Sequence, residues 1–282
     1  MKAALRINLV LALILWLTSV DSVGQSPSRI DLWARWDKHD AASTETIDHT
    51  RWQGFLQKFV VTAHPSGINR IRYQAVGADA FASLRGYLSS MQTVTISNYN
   101  RAEQKAFWIN VYNALTVQLV LSRYPIASIR DINISPGLAT RGPWGAKLFI
   151  VEGERLTLDD IQHRILRPIW KDSRAHYALT TAALGSPHLQ SIAYTARNSE
   201  ALLEKSAREF INHPRGVSIQ NGRLQVSTLY VWFQEDFGGG AEGLMEHWQD
   251  YADASLADAL AKYNGGLAHD YDWRLNGSES KP

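Results

Sequence analysis

The sequence predicts a helix-rich α+β fold in a single domain, with a small mixed or antiparallel sheet. Three observations predict it: apolar residues recur at helical spacing through most of the chain, short alternating runs interrupt them, and neither regular strand–helix alternation nor a Gly-rich phosphate loop appears. At 282 residues the chain is long enough to bury a proper core.

The elements follow in order. MKAALRINLVLALILWLTSVDSVGQ sets Lys2 and Arg6 before an apolar run from Leu9 to Val20, then small residues Ser22 and Gly24. That three-part layout predicts a secretory signal peptide over 1–24, cleaved near Gly24–Gln25; the run is short for a membrane-spanning helix. The competing reading is an uncleaved N-terminal anchor. Residues 25–50 are expected to hold a linker, Ser26 to Ser28, and a helix with Leu32, Trp33 and Trp36 inward. The mature chain is expected to be soluble, periplasmic or secreted, with no stable membrane insertion after cleavage.

Residues 51–282 are expected to form the globular domain. DHTRWQGFLQKFVV has an aromatic stripe at helical spacing, INRIRY alternates like a strand, and GADAFASLRGYLSSM returns to the helical period. Asn100 and Glu103 have capping-box spacing, so a helix starts at Arg101 and runs to about Arg123, where Tyr124 precedes Pro125. KLFIVEGERLTL predicts two strands about Glu152–Gly153, and Thr157 to Asp160 a second capping box opening the helix that carries His163. HYALTTAAL reads as a short buried strand running into a turn at Gly185 and Pro187, and Arg197 to Asn212 as a helix. Asn221–Gly222 in VSIQNGRLQVS predicts a two-residue hairpin. TLYVWFQEDF and EGLMEHWQDYAD predict helices separated by Gly238 to Gly240, and HDYDWRLN a last strand.

Composition excludes several functions. A net charge of +2 without a basic block gives no electrostatic basis for binding nucleic acid or an anionic membrane surface. Zero cysteines exclude disulfides, zinc–thiolate sites and thiol nucleophiles.

Several stretches together resemble the domain of unknown function 547 (DUF547) family: AFWINVYNALTVQLVL, SIRDI, GPWGAKLFIVEG with LTLDDIQHRIL, HYALTTAALGSPHLQ, AYTARN, NHPRGV, FQEDFGG and YDWRLN. They cover most of the mature chain in order. The resemblance implies no particular reaction, cofactor or substrate. It marks one departure: where the family pattern carries cysteines, this chain has Thr181 and Ser186.

Asn110 and Asn113, three apart on a helix, point their amides the same way; they either clamp a ligand or catalytic imidazole, or tie the helix to a neighbouring backbone. Tyr112 is expected to pack. Asp159 and His163, four apart, either orient an imidazole or hold a metal, or form a plain ion pair at a helix start. No second His stands at ligand spacing, so no metal and no cofactor is expected. Ser186 is a candidate nucleophile, with His163, His176 or His188 as base and Asn110 as orienting group, but it lacks the G-x-S-x-G elbow and Pro187 removes an amide. Glu235, Asp236, Asp270 and Asp272 offer acid pairs for glycosidic chemistry, or serve as loop and cap residues. Most of the ten tryptophans are expected in the core.

Two functions follow as expectations. The first is an exported protein binding a small molecule or a cell-envelope partner without thiol chemistry, with Asn113, His163, Asp159 and His188 as binding residues. The alternative is a hydrolase or acyl transferase with Ser186, His176 and Asn110 as its catalytic set.

Overall fold

The computed structural model describes residues 30–137 and 140–279, so the signal-peptide and linker readings lie outside the described residues. Helix α1 (Thr50–Phe59) leads into a two-stranded antiparallel hairpin, β1 (Val60–Val61) and β2 (Arg70–Ile71), then α2 (Ala78–Met91) and the long α3 (Arg101–Arg123). A second antiparallel hairpin, β3 (Phe149–Val151) and β4 (Glu154–Leu156), precedes a π-helical stretch, Asp160–Leu166, that runs into α4 (Arg167–Trp170). One-turn α5 (Ala175–Ala178) and α6 (Ser199–Ile211) follow. The last third holds β5 (Val217–Gln220), β6 (Arg223–Ser227), α7 (Leu229–Trp232), α8 (Ala241–Tyr251), α9 (Ala254–Ala261) and β7 (Leu267–Asp270). β5 and β6 pair antiparallel, and β7 joins β6 in parallel. The class is helix-rich α+β, with small sheets rather than one continuous sheet.

Local chemistry accounts for the boundaries. The Asn100 side chain accepts from the amides of Ala102 and Glu103, two donors an α-helix start leaves unpaired. Glu103 does not reach back; its carboxylate takes the amide of Ile47 instead. The second capping box is reciprocal, with Thr157 N–H donating to Asp160 and Asp160 N–H to the Thr157 hydroxyl. Asn221 and Gly222 have φ of 50° and 73°, the two positive values a type I′ turn demands.

α3 is the axis of the larger core. Phe107, Ile109, Val111 and Ala114 are all wholly buried, and Trp52, Tyr87 and Phe149 pack with them in one cluster. A second cluster gathers Phe210, Tyr230, Phe237 and Trp248. α6 joins the two, giving Leu202 and Leu203 to the first and Phe210 and Ile211 to the second, which makes the two clusters one domain. Full burial of each such large side chain contributes roughly 1.5–3 kcal/mol. Trp36, Trp52, Trp108 and Trp248 are core residues as expected; Trp33 and Trp232 are partly buried against it.

Three readings are corrected. HYALTTAAL is no strand: it begins as α5 and continues irregularly, because Ala178 O and Thr180 N bond to the Asn113 side chain of α3, and only a single antiparallel bridge, Ala183 with Leu275, follows. TLYVWFQEDF is not one helix but α7 followed by a 3-10 turn, Gln234–Phe237, ended by Gly238 at φ 96°. The last strand stops at Asp270, and the rest of HDYDWRLN contributes only a bridge at Leu275.

Candidate functional site

The two asparagines clamp backbone. Asn110 Nδ2 donates to Tyr194 O at 2.7 Å and its Oδ1 accepts from Tyr194 N at 3.0 Å. Asn113 Nδ2 donates to Ala178 O at 2.8 Å and its Oδ1 accepts from Thr180 N at 2.9 Å. Both amides are engaged at both ends with two different segments, so neither faces a shared ligand. Only Asn113 ties α3 to HYALTTAAL; Asn110 ties it to AYTARN. Tyr112 packs in the core, and its hydroxyl donates to Gln162 at 3.3 Å.

One turn away lies a buried ionic network that the sequence did not announce. His176 Nε2 donates to Asp236 Oδ2 at 2.6 Å, and Arg167 Nη2 donates to Asp236 Oδ1 at 3.1 Å. Arg167 Nη1 donates to His163 Nδ1 at 3.0 Å, which fixes that nitrogen as an acceptor. The His176 ring stacks on Phe233 with centroids 4.3 Å apart, and Arg167 lies over the same ring. Burial and the neighbouring Arg167 and His176 bring His163 down to about 3, so it is neutral. Burial also lowers His176, against the pull of Asp236. Burial alone would raise Asp236, but the bonds from His176 and Arg167 outweigh it and hold the acid at about 2. Asp236 is thus the hub of an ion-pair network, where a loop or cap acid was expected.

Asp159 and His163 do approach, at 3.7 Å between Oδ1 and Nε2, too long for a hydrogen bond. Among the described residues no three His, Asp or Glu side chains are placed to hold a metal ion.

Ser186, His176 and Asn110 are not bonded into a catalytic set. The Ser186 hydroxyl accepts from Thr181 N at 2.9 Å and donates to Pro187 O at 3.0 Å. His188 stands two residues on, yet its ring turns away: Nδ1 accepts from Arg215 at 3.2 Å and Nε2 donates to Glu209 at 2.9 Å. The His176 Nδ1 atom is buried without a hydrogen-bond partner. His176 lines a small cavity of about 20 Å³ together with Tyr112, Gln162, Thr181 and Tyr271. That volume suits a single water rather than a substrate.

A much larger cleft, about 560 Å³, opens where distant segments meet. Arg70, Gly185, His213, Arg215, His269 and Tyr271 are among its lining residues. Gly185 sits there because its amide donates to Asp272 O at 2.8 Å, and a Cβ would lie 2.6 Å from Asp272 N. Asp272 pairs with Arg274 at 2.6 Å on the wall. Asp270, at the end of β7, lines the cleft too.

Sequence reasoning passed over Arg167, Arg70 and Arg215. The signal for Arg167 was its position four residues after His163, and Arg215 and Asp236 stood within the quoted NHPRGV and FQEDFGG. Arg70 carried no signal in the chain.

Residues 96–211 match the family model described as "Protein of unknown function, DUF547". No curated protein and no solved structure matches the chain. Residues 96–211, which carry both asparagine clamps and the His163–Arg167 pair, are therefore a DUF547 segment.

Proposed function

We propose that the chain is an exported ligand-binding protein without thiol chemistry, and that its ligand sits in the cleft between Arg70, Arg215 and Tyr271. The buried Arg70 in its lining carries the reading: at about 560 Å³ the cleft is in the range of small-molecule sites, as is one of about 620 Å³ beside Asp159 and His163, but the latter has no buried arginine in its lining. Export rests on the Lys2 to Gly24 layout, and among the described residues no helix is long and apolar enough to cross a membrane. The test is backbone amide exchange of Gly185, Arg215 and Tyr271 with cell-wall fragments, acyl thioesters and short peptides added. Protection of these amides by one class supports the reading; unchanged exchange with every class sinks it.

A second reading, a hydrolase or acyl transferase, is favoured by one observation. Asp236 orients His176 while leaving Nδ1 without a partner next to the Thr181 hydroxyl's cavity, as a general base requires. Against it stand the size of that cavity and the Ser186 hydroxyl's bonds to backbone. Labelling of the folded protein by a fluorophosphonate, lost in His176→Gln, would establish it.

A further inference from the structure

Arg70 is 1% exposed, and only one of its three nitrogens is bonded: Nη2 donates to Ser66 Oγ at 3.2 Å, while Nε and Nη1 have no hydrogen-bond partner. Arg215 uses Nη1 on Leu184 O at 3.2 Å and Nη2 on His188, and its buried Nε has none. Among the described residues neither guanidinium has a carboxylate within ion-pair distance. Two of the acids nearby are already taken, Asp272 by Arg274 and Glu209 by Lys205 and His188, and exposed Asp270 in the lining is in ion-pair contact with neither arginine. Burial lowers both arginines from their ordinary value; the like charge of Arg274 adds to this at Arg70 against the pull of Asp272, and that of Arg70 adds to it at Arg215 against the pull of Tyr271 and Glu209. Buried Arg70 and half-buried Arg215 both line the 560 Å³ cleft, and a cation taken out of water without a carboxylate in ion-pair contact is a costly arrangement.

We infer that the cleft takes an oxyanion, a carboxylate or phosphate group of its ligand, as the counter-ion to Arg70 and Arg215. The inference rests on the cleft being the ligand site. Arg70, in the floor, acts through its field rather than by contact. Half-buried Arg215 supplies the charge on the wall, where Arg274 is paired with Asp272 and Asp270 is exposed. Positive charge on low-dielectric walls concentrates an anion of matching size.

The test is the melting temperature of the full chain at neutral pH in sodium phosphate, sodium succinate and sodium chloride of matched ionic strength. One of the two oxyanions should raise it by about 2 to 4 °C over chloride, and which one does so identifies the group. Arg215→Gln and Arg70→Met should both lose the shift. In chloride, Arg70→Met should melt at or above the parent, since it replaces an uncompensated buried charge by an apolar chain; should it misfold, Arg215→Gln still carries the comparison. Equal melting in all three salts overturns the inference, and so does a shift that survives in Arg215→Gln. Amide exchange separates this failure from that of the cleft: protection of Gly185 and Tyr271 by neutral compounds but by neither oxyanion removes the inference alone, and protection by nothing removes both.

Discussion

His176 and Asp236, sixty residues apart, meet at 2.6 Å between Nε2 and Oδ2 in a site where the imidazole is fully buried and the carboxylate nearly so. Because a carboxylate only accepts, the imidazole proton is on Nε2 and Nδ1 is left bare. The same carboxylate takes Arg167, so one acid fastens the 3-10 turn after α7 to both α4 and α5.

Asp236→Asn should therefore be costly. Removing one member of a buried ion pair typically costs about 3 to 5 kcal/mol. Urea unfolding measures it, with Glu235→Gln as control; Glu235 is exposed on the same turn, and its substitution should change stability by less than about 0.5 kcal/mol. Equal effects from the two would mean that the network contributes little.

Asn113→Ala strands the carbonyl of Ala178 and the amide of Thr180, and Asn110→Ala both polar groups of Tyr194. Each should lower stability by about 1 to 3 kcal/mol. Tyr112→Phe, which loses one long bond to Gln162, should cost less than either. A melting curve unchanged in Asn113→Ala would contradict the clamp.

Ser186→Ala removes the acceptor of the half-buried Thr181 amide and should cost about 1 kcal/mol. Denaturation measures this. If ligand protection of the cleft amides survives the substitution, Ser186 serves as a brace for the turn that presents Gly185.

His163 sets an acid limb. Its folded value, about 3, lies below the unfolded value of 6.5, so between these the unfolded chain binds the extra proton. The stability this contributes is full above about pH 6.5 and is lost as pH falls toward about 3. His163→Gln keeps an acceptor for Arg167 and should flatten the pH dependence in that window by up to about 1.4 kcal/mol per pH unit, one proton's worth. Urea midpoints between pH 4 and pH 7 on the two proteins, with parallel slopes as the contrary result, decide it.

What the sequence determined by itself was local. Asn100 fixed the start of α3, Pro125 its end, and Asn221–Gly222 the hairpin, because a cap, a missing amide and a pair of positive φ angles are each decided within a few residues. The helical period around Asn110 and Asn113 likewise announced a buried helix carrying polar ties. Only the tertiary structure decided what those ties hold, that Asp236 is a partner of His176 rather than a cap, and that Ser186 and His188 turn to different neighbours. HYALTTAAL shows why: its apolar run fits a strand, but the Asn113 amide, sixty-five residues away, satisfies Ala178 O and removes the need for one. Arg70 is the extreme case, since nothing around it in the chain marks a buried cation; its isolation arises from the meeting of β2 with the segments carrying Arg215 and Asp272. Hydrogen bonds and charges between distant segments depend on which surfaces the fold brings together, and periodicity within one segment carries no record of that.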